Sequence, residues 1–203
     1  MNFLHKIPLF FFSLVYPCKF YGKENIPKGS AVLVSNHFSA LDCGYIAKLY
    51  SKDIYFLAKK EIFKNKLFAK IVKSYGGIPI DRDKPDIKAL FSATKVLKDG
   101  HKLAIFPEGT RNKTGTNQLQ PIKGGSVIFA VKAKCPIVPM MILKKAKFLS
   151  RNKMIIGKPF YLEEFYDKQI TPDLIEKMDK IVETEMLNQQ RILLDMVNCK
   201  VKK

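Results

Sequence analysis

Apolar residues in this chain gather in short unbroken runs, and between the runs they recur every third or fourth position. The runs at 31–35 (AVLVS), 54–58 (IYFLA), 103–106 (LAIF) and 137–143 (IVPMMIL) are rich in β-branched and aromatic side chains, and predict buried strands. Between them, 61–75 carries Ile62, Phe63, Leu67, Ile71 and Val72 at helical spacing, while Lys59, Lys64, Lys66, Lys70 and Lys73 supply the polar positions. That spacing predicts an amphipathic helix with a basic face. Shorter helices follow at 86–98 and 125–133, and Thr171, Pro172 and Asp173 open a long terminal helix with a cap and a first-turn proline. Its stripe of Ile175, Met178, Val182, Met186, Gln189, Leu193 and Met196 reads as a core seam. Strands alternating with helices predict an α/β layer fold.

The N-terminus follows another pattern. Residues 7–16 (IPLFFFSLVY) are apolar, with Pro8 inside and Pro17 after them. A spanning helix needs about 20 apolar residues, so the run is too short to cross a bilayer, and it lacks the small-residue cleavage site of a signal peptide. Either it anchors at an interface through Phe10, Phe11, Phe12 and Leu14, with His5, Lys6 and Lys19 at headgroups, or it packs in the core. Residues 1–19 are therefore set apart as a membrane-association segment, and 20–203, with no repeat, low-complexity tract or linker, as a single domain.

Charge sharpens this picture. The 203 residues hold 36 Lys and Arg against 18 Asp and Glu, a formal +18, which draws the chain to polyanions or anionic membranes. Only Arg82, Arg111, Arg151 and Arg191 are arginines and there is no Trp, so the fork chemistry and stacking that nucleic acids favour are scarce. An anionic membrane surface suits such a lysine field, and an acidic carrier protein suits it equally. Cys18, Cys43, Cys135 and Cys199 are scattered without metal or C-x-x-C spacing, as expected of reduced thiols in a cytosolic compartment. Cys43 lies near His37 in sequence, yet it reads as a small buried side chain before it reads as a nucleophile.

Four blocks carry chemistry. In the first, Asn36, His37, Phe38, Ser39, Ala40, Leu41 and Asp42 follow a strand and enter a helix. A hydroxyl is a poor nucleophile near pH 7, and histidine is the side chain poised to take its proton. Asp42 can accept one ring N–H and turn the other nitrogen outward. The same Ser39-x-x-Asp42 spacing has the form of a helix capping box, and both readings stand at this point. The second block, 76–82 (GGIPIDR), brings Arg82 to a strand end, either to hold a phosphate bidentately or to pair with Asp81 or Asp83 at the surface. The third, 106–111 (FPEGTR), offers a close backbone approach at Gly109, a second fork at Arg111, and Glu108 to orient an arginine, to accept a hydrogen bond from an acceptor hydroxyl, or simply to face water on the turn. After it, Lys123 adds positive charge where a loop enters a helix. The fourth, 135–140 (CPIVPM), holds Pro139 and has no acid or base; it reads as a wall or core strand.

Together these blocks, NHFSALD, GGIPIDR, FPEGTR and PIVP in that order, resemble those of the glycerolipid acyltransferase family, which includes the lysophosphatidic acid acyltransferases. The resemblance spans most of the chain, and YGKENIPKG upstream of the first block fits it too. It implies a mixed, largely parallel sheet flanked by helices, with His37 and Asp42 (an HX4D motif) as the catalytic pair. Arg82, Glu108, Gly109, Thr110, Arg111 and Lys123 would line the glycerol phosphate site, and Asn36, Ser39 and Pro139 would support it. The substrates it implies are a lysophospholipid acceptor and acyl-CoA or acyl carrier protein as donor, with no metal or other cofactor. The enzyme would work at the cytoplasmic face of a membrane, peripheral or monotopic. Many relatives have two adjacent basic residues where this chain has Lys123 and Gly124, and many have a longer N-terminal membrane segment. A lipid or thioester hydrolase using the same His and Asp, and a non-catalytic basic membrane-binding module, are the competing classes.

Overall fold

The computed structural model describes residues 3–49, 54–81, 86–123, 125 and 127–199. Its centre is a seven-stranded sheet in the order β1-β7-β6-β2-β5-β3-β4, built from β1 (Cys18–Tyr21), β2 (Ala31–Ser35), β3 (Ile54–Lys59), β4 (Gly77–Ile80), β5 (Lys102–Ile105), β6 (Ile137–Ile142) and β7 (Asn152–Ile156). Every neighbouring pair is parallel except β6 with β7. The sheet is thus mixed and largely parallel. Central strands such as β2 are buried at every position, which is why they appear in sequence as unbroken apolar runs rather than alternating ones.

Six α-helices cover the sheet among the described residues: α1 (Phe3–Val15), α2 (Asp42–Leu49), α3 (Lys66–Ser74), α4 (Ile87–Lys98), α5 (Ile128–Ala133) and α6 (Pro172–Asn198). Alternation along each strand sorts the core into two layers. Val32, Val34, Leu103, Ile105, Ile137 and Met141 face α4, α5 and α6. Ala31, Leu33, Ala104, Val138 and Met140 face the opposite way, toward α2 and α1, with Tyr45, Ile46 and the half-buried Phe12 packed among them.

Several boundaries differ from the sequence expectation. The helix expected over 61–75 breaks at Asn65, whose side chain accepts the N–H groups of Leu67 and Phe68 at 3.0 and 3.2 Å. An asparagine that caps a new helix ends whatever precedes it, and residues 60–64 form a separate 3-10 turn. The helix expected from 125 starts at Ile128, because Gly125 has φ +107°, outside the helical region. Two strands escaped notice. β1 is a four-residue edge strand with the exposed Lys19 in it, and it draws Cys18 and Lys19 into the sheet rather than leaving them with the N-terminal segment. The terminal helix forms as expected, with Met178, Val182, Met186 and Leu193 buried and Met196 exposed.

The N-terminal segment divides between its two readings. Along α1, Leu9, Phe12 and Tyr16 pack against the core, whereas Phe10, Phe11 and Leu14 face solvent. No helix among the described residues is long and apolar enough to cross a membrane.

Helix α3 rests on the edge of the sheet through one tight contact. Gly77 pairs with Phe56, and a Cβ on it would strike Val72 Cγ1 and come within 2.7 Å of Val72 O. Gly77→Ala is expected to lower stability by about 1–3 kcal/mol, the usual size of an overpacking strain, measured by urea denaturation. Unchanged stability would mean that α3 is not seated on β4.

Candidate active site

The site is organised by two buried carboxylates from different strand ends. Asp42, at the first turn of α2, is fully buried. Its Oδ2 accepts His37 Nδ1–H at 2.9 Å and the main-chain N–H groups of Phe38 and Ser39 at 2.6 and 2.7 Å. Its Oδ1 accepts the Ser39 hydroxyl at 3.3 Å, and that hydroxyl accepts Leu41 N–H at 3.2 Å. The capping geometry and the histidine contact therefore coexist on one side chain. Asp42 closes the start of α2 and fixes the imidazole tautomer in the same act. With Nδ1 carrying the proton, Nε2 presents a lone pair, and it has no hydrogen-bond partner among the described residues.

The second carboxylate, Glu108, is 1% exposed. Its Oε1 accepts His37 N–H at 2.6 Å and its Oε2 accepts Gln120 N–H at 3.2 Å. The His37 carbonyl accepts Asn112 N–H at 2.7 Å, so both main-chain groups of His37 are held by the loop that follows β5. The same loop supplies Phe106, whose ring stacks on the imidazole at 3.9 Å between centroids and 16° between planes. On the other side of the strand, Asn36 donates to Ile142 O at 2.9 Å and accepts Ile142 N–H at 2.7 Å, extending the pairing of β2 and β6 beyond the last residue of β2. The ring of His37 is thus gripped at Nδ1 and covered on one face, and its main chain is pinned at both ends.

The chain as a whole is similar to known proteins. The Acyltransferase family matches residues 17–143. A 1-acyl-sn-glycerol-3-phosphate acyltransferase of Bacillus subtilis (strain 168) is 32% identical over 183 residues, covering 85% of both chains. The chain belongs to the acyltransferase family. An enzyme of the same name from Helicobacter pylori (strain J99) is 32% identical over 165 residues, covering 78% of this chain and 69% of that one. The crystal structure of the 1-acyl-sn-glycerophosphate (LPA) acyltransferase PlsC from Thermotoga maritima shares the fold, with a TM-score of 0.70 at 24% identity, covering 94% of this chain and 76% of that chain.

The remaining expected residues of this acyltransferase distribute unevenly. Gly109, at φ +68°, turns the chain back so that its N–H donates to Phe106 O at 3.0 Å. The Lys123 side chain lies against it, its Cδ 3.0 Å from where a Cβ would sit, and Lys123 N–H donates to Pro107 O at 2.9 Å. Thr110 and Arg111 are exposed on the same turn. Gly109, Thr110 and Lys123 line a cavity of about 1630 Å³ that also takes in Leu90, Ile105, Ile122, Phe129 and Ile175. Phe106 lines it too, and so joins it to His37. Glu108, expected beside the substrate, has both oxygens turned to the protein's own main chain, which makes it a positioning residue. Pro139 is buried in β6 opposite Val34. Arg82 lies outside the described residues, and its neighbour Asp81 pairs with Lys60.

Phe106, Asn112 and Gln120 were not anticipated. Phe106 closes an apolar run in the sequence, and it is the β2–β5 register, Val34 opposite Ile105, that brings it beside the first block. Asn112 had a local signal: its Oδ1 accepts Thr114 N–H at 2.9 Å, an Asx turn of the kind asparagine favours.

Burial raises the Glu108 carboxyl from 4.5 to about 7. The folded chain therefore holds an extra proton between those values, so this group makes stability fall as pH rises from about 4.5 to about 7. Glu108→Gln should flatten that slope, measured as denaturation midpoints across the interval. It should also lower kcat, because an amide accepts only one of the two N–H groups and leaves the other unpaired at a cost of about 1–3 kcal/mol. An unaltered slope would show that Glu108 does not titrate there.

Proposed function

We propose that this acyltransferase transfers a fatty acyl group from acyl-CoA or acyl carrier protein to the free hydroxyl of 1-acyl-glycerol-3-phosphate, giving phosphatidic acid. The observation that carries the reading is the His37 Nδ1 contact to Asp42, which leaves Nε2 without a hydrogen-bond partner among the described residues, on a ring stacked against the cavity-lining Phe106. The acceptor hydroxyl attacks the thioester carbonyl as Nε2 takes its proton. A carbon–oxygen bond forms, and the tetrahedral oxyanion collapses with loss of the carbon–sulfur bond. The thiolate recovers the proton from the imidazolium. The lipid hydroxyl is the nucleophile, so no covalent acyl-enzyme and no metal is required.

Arg82, Arg111 and Lys123 hold the acceptor phosphate, and the apolar walls of the cavity suit an acyl chain. The names of the relatives support 1-acyl-glycerol-3-phosphate as acceptor over other lysophospholipids. The exposed Phe10, Phe11 and Leu14 of α1 and the net charge of +18 support a peripheral or monotopic position at the cytoplasmic face of an anionic membrane.

His37→Ala should reduce kcat by about 10²- to 10⁴-fold, the usual worth of general-base catalysis, with the thermal midpoint little changed. Turnover near the wild-type rate would refute the mechanism. Arg111→Ala should instead raise KM for the phosphate-bearing acceptor by roughly 10- to 100-fold, equivalent to one charge-assisted contact of about 1.5–3 kcal/mol. A panel of lysolipids with and without phosphate, with products identified by mass, separates transfer from thioester hydrolysis, in which free fatty acid forms without dependence on acceptor.

A further inference from the structure

We infer that α3 is a second membrane-docking element, a basic amphipathic helix that seats the catalytic face of the sheet on an anionic bilayer. The inference rests on the reading that α1 meets a membrane and adds a contact at the far edge of the molecule. Nothing in α3 is buried. Leu67, Phe68 and Ile71 are 67, 58 and 47% exposed, an unusual display for three large apolar side chains within five residues. At about 100° per residue these three share one arc of the helix. Ala69 and Val72, both half-buried, form the next arc and face the sheet. Lys66, Lys70 and Lys73 form the third. All three lysines are exposed and none pairs with an acid among the described residues. An apolar arc bordered by unneutralised lysines is the pattern of a helix lying in a lipid interface.

The sheet register shows which way this helix looks. Gly77 pairs with Phe56, and Phe56 belongs to the core layer on the α1 and α2 side. The position a Cβ would take on Gly77 is occupied by Val72, so α3 lies on that same side. Phe106, on which His37 stacks, packs against the same layer. Helix α1 lies toward the other edge: its last residue, Val15, accepts Leu149 N–H at 2.8 Å, just before β7. Phe148 and Leu149 are exposed there, with Lys145 and Lys147 close by in sequence. Strand β2, which leads into His37, sits between the two edges in the strand order. Two apolar, lysine-bordered surfaces thus flank the catalytic strand on one face, an arrangement that fits a flat anionic surface better than a compact protein partner.

Binding to vesicles of phosphatidylcholine with and without phosphatidylglycerol tests this, by co-sedimentation of the full chain. Leu67→Ser/Phe68→Ser should bind at least tenfold more weakly. Its turnover of a short-chain acceptor kept below its micelle concentration should stay within twofold of wild type, which reports an intact fold and site. Lys66→Gln/Lys70→Gln/Lys73→Gln should lose affinity only for the phosphatidylglycerol vesicles and show a shallower salt dependence. Phe91→Ser is the control, since Phe91 is 74% exposed on α4 across the sheet, and it should bind as wild type does. If wild type does not bind vesicles, the membrane reading and this inference fall together. If Phe10→Ser/Phe11→Ser weakens binding while the α3 variants do not, or if Phe91→Ser weakens it as much as they do, the inference alone fails. It also fails if the serine pair only converts a dimer to monomer in analytical ultracentrifugation, or only slows transfer from acyl carrier protein. Those results would assign the α3 surface to a second copy or to the donor.

Discussion

The contact between Asp42 and His37 Nδ1 is the constraint on which the rest is arranged. An imidazole free to rotate offers either nitrogen with either tautomer. Here one edge is committed to a fully buried carboxylate, and the other is left as an acceptor. The same oxygen takes the Phe38 and Ser39 N–H groups, so the ring is referenced directly to the start of α2. A substitution at Asp42 therefore removes a helix terminus and the partner of the His37 ring together, and the two losses do not add independently.

Glu108 supplies the complementary half. Asp42 holds the ring, and Glu108 holds the main chain behind it while tying down Gln120 at the far end of its own loop. The loop after β5 therefore behaves as a bracket around residue 37, with Phe106 as its stacked face and Asn112 closing the carbonyl side. Neighbouring parallel strands make this possible, because β2 and β5 deliver their carboxyl ends to the same edge of the sheet, where sites in such folds collect.

The layer architecture and the first and third blocks were legible in sequence because each depends on local pattern. Buried parallel strands such as 31–35 cannot avoid being apolar throughout, and a histidine with four residues between it and an acid leaves a fixed spacing across a helix start. Legibility ended where a partner was distant in the chain. Nothing near Glu108 indicates that its oxygens reach residues 37 and 120, and nothing near Asn36 indicates Ile142. Strand β7 was missed because it begins with Asn152 and Lys153, which leaves only Met154, Ile155 and Ile156 as its apolar run. The break at Asn65 was a local signal that the lysine-rich periodicity of 61–75 masked.

The stacked phenylalanine has a further consequence. Pinned along one edge and roofed on one side, the imidazole of His37 offers Nε2 as its free acceptor. Water is small enough to arrive there as readily as an alcohol, and the nitrogen does not distinguish them by basicity. Under the proposed reaction, selection between the two becomes a matter of residence: whichever molecule is tethered at that edge when the acyl donor arrives is the one acylated. Fidelity in such a site is stored in anchoring groups remote from the proton transfer rather than in the base itself.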